Sequence, residues 1–255
     1  MEGIYESLRG KRVLVTGSSR GIGRAIAEGF AKNGCDVAVH GVEPSAHLES
    51  LTAELSSCGG KIITVCGDLA DPTVPAKLIA GTVEALGGLD ILVSNVSVQI
   101  RKPWMEVTDE EMRLQTEINF FAGIRLIQQA VPHMLKEGWG RVITIGSAQQ
   151  ERPHPDMLVY SATKAAMRNV AQSIALQVAD KNITVNNIAV GTIYTDRNME
   201  ALSDPEYLEK VKNNNPVKFI GEPTDCVGTV LLLASEAGRY ITGDNIHVDG
   251  GRTIS

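Results

Sequence analysis

Tyr160 and Lys164 stand four residues apart in the segment YSATKAAMRNVAQSIALQV, and Ser147 closes the apolar run RVITIGS upstream of them. Residues four apart share one face of a helix, so the phenol and the ammonium can act as a pair. A phenol titrates near pH ~10, too high for a base at neutrality, and a neighbouring ammonium favours the phenolate. Tyr160 is then a candidate to exchange a proton with a substrate oxygen. Ser147, at the end of a strand where doubly wound folds hold their ligands, could orient and polarise a carbonyl. Alone, Tyr-x-x-x-Lys reads equally well as an amphipathic helix with a snorkelling lysine. A second motif makes coincidence a poor account.

That motif is VLVTGSSRGIG, a strand running into a glycine-rich turn and a helix start. Gly17, Gly21 and Gly23 allow a tight turn and close approach of backbone to a pyrophosphate, and the helix that follows offers free N–H groups. Ser19, Arg20 and Ile22 fill the turn between them. An acidic residue about 20 positions on commonly holds the ribose hydroxyls of NAD. Here that place falls at Gly41, which has no side chain. Arg20, with help from His40, could instead meet a 2′-phosphate, so NADP is favoured. NAD stays possible, because Glu43 lies only two residues further on.

The elements that must position these groups are legible as Val- and Ile-rich runs at 12–16, 36–40, 61–66, 89–95, 141–147, 184–190 and 245–248, separated by helix-length stretches such as 21–33, 46–57 and 109–137. Near-continuous apolar runs fit strands buried on both faces. The alternation predicts an α/β, Rossmann-type doubly wound parallel sheet of about seven strands with helices on both faces. No linker divides the chain, so 1–255 is expected to be one dinucleotide-binding and catalytic domain. The irregular, charged stretch 192–218 is expected to be a mobile helical excursion that serves as a substrate lid.

Composition narrows the function. The chain has 24 basic and 30 acidic residues, a formal net charge of -6, and no block of like charge, which argues against nucleic-acid partners. Cys35, Cys58, Cys66 and Cys226 form no ligand pattern, so no metal is expected, and their scatter suits reduced, mostly buried thiols in a cytoplasmic protein. Neither a signal pattern in MEGIYESLRGKRVLV nor an apolar run long enough for a membrane is present.

Taken together, Thr16 to Gly23, Asp68-Leu69, Asn95, Asn119, Ser147, Tyr160-x-x-x-Lys164, Gly191 to Thr195 and Asp249-Gly-Gly251 resemble the short-chain dehydrogenase/reductase family in its compact single-domain branch, over essentially the whole chain. The resemblance implies a catalytic tetrad of Asn119, Ser147, Tyr160 and Lys164. In it Tyr160 is the acid/base, Lys164 lowers its pKa and holds the nicotinamide ribose, Ser147 binds the substrate oxygen, and Asn119 supports a water-linked proton path. It also implies cofactor contacts from Asp68 and Leu69 at the adenine, from Asn95, and from Gly191, Ile193 and Thr195 at the nicotinamide, and a homo-oligomer, a tetramer, with contacts along 109–137 and 157–180. Two departures stand out. Ser97 occupies a place usually glycine, and Val190 one usually proline.

The pocket is expected between Ser147 and Tyr160 and in the loop after the fourth strand. Ser97, Gln149, Arg152 and His154 are its candidate substrate-binding residues, with Gln99, Arg101 and Gln150 nearby. Convergent polar groups suit a sugar, polyol or hydroxy acid. The alternative enzyme is a 3-oxoacyl thioester (acyl-carrier-protein) reductase. A dinucleotide-binding regulator without turnover is the reading from outside catalysis, and four intact tetrad residues speak against it.

Overall fold

In the computed structural model, residues 3–255 are described. Met1 and Glu2, at the head of the stretch read for a signal, lie outside them. Seven strands form one parallel sheet: β1 (Arg12–Val15), β2 (Asp36–Gly41), β3 (Ile62–Cys66), β4 (Ile91–Ser94), β5 (Gly140–Ile145), β6 (Ile183–Val190) and β7 (Asn245–Val248). Their spatial order is β3-β2-β1-β4-β5-β6-β7, so the winding reverses between β1 and β4. The helices are α1 (Gly21–Lys32), α2 (Ala46–Leu55), α3 (Val74–Leu86), α4 (Asp109–Thr116), α5 (Ala122–Glu137), α6 (Leu158–Val178), α7 (Asp196–Leu202), α8 (Pro205–Asn214) and α9 (Val227–Ala234).

Alternation along each strand divides the apolar residues between two cores. Val13 and Val15 of β1 face Ile26 and Phe30 of α1, Leu48 of α2 and Val230 of α9. Leu14, between them, points the other way, to the side of Leu78 of α3, Leu126 of α5 and Met167 of α6. Both faces of the sheet are therefore covered, which is why the strands read as unbroken apolar runs. Arg141 is a charged exception inside such a run. It is fully buried, its guanidinium stacked 4.2 Å from the Trp139 ring and paired with Glu236 at 3.1 Å.

Two features differ from the sequence expectation, the break in 109–137 and the exposure of a cysteine, whereas 192–218 is helical as expected. The stretch 109–137 is not one helix: a π-helical turn, Glu117–Phe121, separates α4 from α5 and turns Ile118 and Asn119 inward. Residues 192–218 are largely helical, with α7 and α8 closing over a small cluster of Leu202, Val211 and Ile220. Of the four free cysteines, Cys35 and Cys226 are buried, but Cys66 is exposed. Among the described residues no helix is long and apolar enough to cross a membrane.

At the N-terminal ends of the two central strands, away from the open end of the reversal, Arg12 and Asp90 lock β1 to β4. Arg12 Nε and Nη2 donate to the two Asp90 oxygens at 2.8 Å each, and the Arg12 backbone N–H donates to the same carboxylate. Burial would raise the Asp90 carboxyl, but the Arg12 hydrogen bonds outweigh it and hold the group below its ordinary value. A carboxyl lowered in the folded state stabilises fully above its unfolded pKa, and that contribution is lost as pH falls through the folded one. Asp90→Asn should therefore cost about 1–3 kcal/mol near pH ~7, a Tm drop of roughly 3–8 °C. Thermal melts across pH should show the gap to wild type closing toward pH ~3. A gap that stays constant would mean the charge is not what holds these strands together.

Candidate active site

The C-terminal ends of β1, β4, β5 and β6 open into a cavity of about 790 Å³ beside the β1/β4 reversal, the place where open α/β sheets bind ligands. Its floor is the glycine turn. Gly17 and Gly21 adopt φ of +63° and +58°, which side-chain-bearing residues avoid. A Cβ on Gly23 would lie 2.2 Å from the Gly17 carbonyl oxygen, so only glycine lets α1 start this close to β1. Arg20, the residue capping α1, makes no side-chain capping bond, which leaves first-turn N–H groups open to an anion. Asn95 braces the turn from β4: its Nδ2 donates to the carbonyls of Thr16 and Gly17 at 3.0 and 3.1 Å. This glycine cradle with unspent donors fits a dinucleotide pyrophosphate.

His40 lines the cavity beside the turn. It is buried, and its ring is spent on backbone: Gly17 N–H donates to Nδ1 at 2.9 Å, and Nε2 lies 3.0 Å from the Gly67 carbonyl. Burial pushes its pKa below the ordinary imidazole value, so it is neutral and offers no charge to a phosphate. It is a clamp on the turn. Asp68 and Leu69 line the cavity beside Arg20, Ser19 and Ile22, whereas Glu43 does not line it. Arg20 is exposed and lies 3.5 Å from Asp196, the first residue of α7.

At the reacting end, Ser147, Tyr160 and Lys164 all line the cavity and are all buried. Ser147 Oγ accepts from the Gln149 N–H at 3.2 Å, which leaves its own proton free to donate. Lys164 Nζ donates to the Ile145 carbonyl at 2.6 Å and lies 5.8 Å from the Tyr160 ring centre. Burial, with a smaller contribution from the charge of Arg197, pulls Lys164 down to about 7. Asn119 sits behind this group. Its Oδ1 accepts from Val98 N–H at 2.8 Å, and its Nδ2 donates to the Val98 carbonyl at 2.8 Å and to Thr163 Oγ1 at 3.3 Å. Both amide protons are spent on joining the loop after β4 to α6. The π-helical turn is what brings Asn119 to that position.

Gly191, Ile193 and Thr195 follow β6 into the cavity wall. A Cβ on Gly191 would lie 2.7 Å from the Asp249 Cα, so the glycine lets the two segments touch. Val190, at the usual proline place, does not leave the loop slack: Tyr194 N–H donates to the Gly221 carbonyl at 2.8 Å, and Gly221 N–H to that of Thr192 at 3.2 Å.

The substrate end is partly as expected. Ser97, Gln149, His154 and Gln99 line the cavity. Arg152 does not. It is exposed, and its Nη1 is turned to the carbonyls of Arg252 and Ser255, because the short helical turn after Ser147 carries it outward. Gln150 likewise reaches away, donating to Asn245 at 2.7 Å. Sequence reading missed Arg197, Tyr207 and Arg252, which also line the cavity. The only signal for the first two was their place within 192–218. Nothing in the linear order joins Arg252 to the others.

Residues 17–253 match the family model described as enoyl-(acyl carrier protein) reductase. Glucose 1-dehydrogenase of Gluconobacter oxydans is 35% identical over 96% of this chain and 92% of its own. A solved 3-oxoacyl (acyl-carrier-protein) reductase from Agrobacterium tumefaciens C58, with NADP bound, is 39% identical at a TM-score of 0.92, covering 96% of this chain and 95% of its own. The L-sorbose reductase of Gluconobacter frateurii, solved with NADPH and L-sorbose, is 31% identical at a TM-score of 0.91, covering 97% and 98%. The chain belongs to the short-chain dehydrogenase/reductase family and is an oxidoreductase of that family.

The clamp role of His40 separates cleanly from a phosphate-binding one. His40→Ala should weaken NAD and NADP by the same factor, roughly tenfold, because a lost buried hydrogen bond loosens the shared pyrophosphate turn. Fluorescence titration of each cofactor measures this. A loss confined to NADP would restore the 2′-phosphate role.

Proposed function

We propose that this protein interconverts a secondary alcohol and a ketone on a small, polyhydroxylated substrate, with NADP preferred over NAD. The observation that carries this is the meeting of Tyr160, Ser147 and the buried Lys164 in one cleft with an open glycine cradle. The polar lining beside them supports a sugar-like substrate, and the sugar-directed relatives agree with it. A 3-oxoacyl thioester reductase is the second reading, favoured by the acyl-carrier-protein reductase that matches at 39% identity.

The bound nicotinamide supplies or accepts the hydride at the reacting carbon. The residues of this chain handle the oxygen and its proton. In the reducing direction Tyr160 gives its phenolic proton to the carbonyl oxygen as that oxygen gains charge, and in the oxidising direction it takes the proton back. Ser147 donates its free O–H to the same oxygen and fixes its position. Lys164, near 7, can hold or release a proton around neutrality, as a relay to the phenol requires. An anion bound in the cleft would raise it and keep it charged. Asn119 positions the loop and the helix between which substrate enters.

Arg20 is the residue for a 2′-phosphate, and Asp196 holds it at the cleft edge until an anion competes. The segment 192–218 acts as a lid, since Asp196, Arg197 and Tyr207 from it line the cleft. Cytoplasmic location and a homotetramer complete the reading. Exposed Met112, Leu114 and Phe121 along α4 and the π-helical turn supply an apolar surface for a second subunit.

Two measurements test this. Tyr160→Phe should lower turnover about 10²-fold or more while leaving cofactor binding and Tm in place, since only a hydroxyl is removed. Near-normal turnover by the pure variant would refute the assignment. Arg20→Ala should lower kcat/KM for NADP by roughly tenfold and leave that for NAD near wild type. A wild type that prefers NAD, or an unchanged NADP value in the variant, would overturn the cofactor assignment.

A further inference from the structure

Two neighbouring residues of α7 reach to opposite sides of the cleft. Asp196 goes to Arg20 at the cofactor end. Arg197 goes to the reacting end, where its Nη1 donates to Ser97 Oγ at 3.0 Å and its Nη2 to the Ser97 carbonyl at 2.6 Å. Ser97 adjoins Val98, the residue gripped by Asn119 behind the catalytic group. We propose that Arg197 reads a carboxylate on the substrate, so that the protein acts on sugar acids of the aldonate class in preference to neutral sugars and polyols. The inference rests on the polyhydroxy-substrate reading above.

A guanidinium carries five N–H donors, and Arg197 spends two on Ser97, which fix its plane. Among the described residues Arg197 pairs with no carboxylate, in contrast to Arg20 with Asp196 and Arg101 with Asp156. Arg252 lines the same cavity and is likewise without a carboxylate partner among the described residues. His154, which joins them in the cavity wall, is held below its ordinary pKa by burial first and then by the charge of Arg101, with Asp156 opposing and Arg252 and Lys210 adding to the lowering. The chain as a whole is acidic, at net -6, so this concentration of basic groups is local.

Thr195 touches the glycine turn at Gly21 and Asp196 meets Arg20, but Arg197, the next residue, turns away from both to Ser97. The charge of Arg197 is felt at Lys164, the proton-handling group. Arg197 is exposed, so a neutral polyol would leave its free donors to water, and an acyl chain, though it would meet Val98 and Met157, would gain nothing from the two arginines. A carboxylate satisfies the free donors with charge-assisted bonds.

The test uses the full-length protein with NADP and a set of C4–C6 aldonates, each paired with the alditol of the same configuration, so that members differ only in carboxylate against CH₂OH. D-gluconate with D-glucitol is the first pair. Wild type should favour the aldonate of its best pair by roughly 10–100-fold in kcat/KM, the range expected of one charge-assisted contact. Arg197→Ala should bring that ratio toward one, mainly through KM, and Arg197→Lys should keep part of it. Ser97→Gly removes the hydroxyl acceptor but leaves the guanidinium and the backbone carbonyl. It should retain the preference, whereas a purely structural lid contact would make it behave like Arg197→Ala. Equal use of acid and alditol by wild type, or an unchanged ratio in Arg197→Ala, overturns the inference alone. Turnover of a 3-oxoacyl thioester with no pair used, or no turnover on any of them, overturns the polyhydroxy reading and the inference with it.

Discussion

Gly17 lies where β1 ends and the winding of the sheet reverses, and the site depends on how its backbone is held. Its N–H is taken by the neutral ring of His40, and its carbonyl by the amide of Asn95. One partner comes from β2 and the other from the end of β4, so the strands on both sides of β1 fix the turn. Loss of either leaves a polar backbone group poorly matched at a point where a ligand must also find free donors. The neutrality of His40 follows from the same burial that makes the clamp rigid. A charged ring there would hold the turn less well, since both ring nitrogens would then be donors and Gly17 N–H would lose its acceptor.

The parallel sheet and the meeting of Tyr160 and Lys164 in one cleft were legible because both depend on short-range regularities. A strand covered on both faces must be apolar throughout, as in VLV and DILVS, and a turn this tight must have glycine at 17, 21 and 23. Tyr160 and Lys164 are coupled by the pitch of one helix. What failed was orientation in irregular backbone. Arg152 and His154 lie two residues apart in the same loop, yet one faces the C-terminal segment and the other the cleft. The short helical turn at Ala148–Gln150 decides between them, and no periodicity announces it. His40 is a different case. Its type suggested a cation, and only burial shows that it is neutral.

The break in 109–137 belongs with these. Its apolar spacing is helical on both sides, and the extra residue of the π-helical turn appears only when backbone bonds are traced. That residue brings Asn119 under the loop carrying Ser97, so a local irregularity of one helix reaches the far wall of the cleft. Arg197 is the counterpart from the lid side. Its partner Ser97 is 100 residues away, and the two meet only because β4 and β6 flank β5 in the sheet.

Position 41 has a consequence for redesign. The carboxylate commonly tied to NAD belongs at the end of β2, but a Cβ there would lie 2.7 Å from Cδ1 of Leu48, a buried residue of α2. That atom is the free end of a flexible side chain, so an aspartate at 41 asks Leu48 to shift within the core. The room for a side chain at the adenosine end is thus set by a leucine that does not line the cleft, and a change at 41 is coupled to the packing between α2 and the sheet.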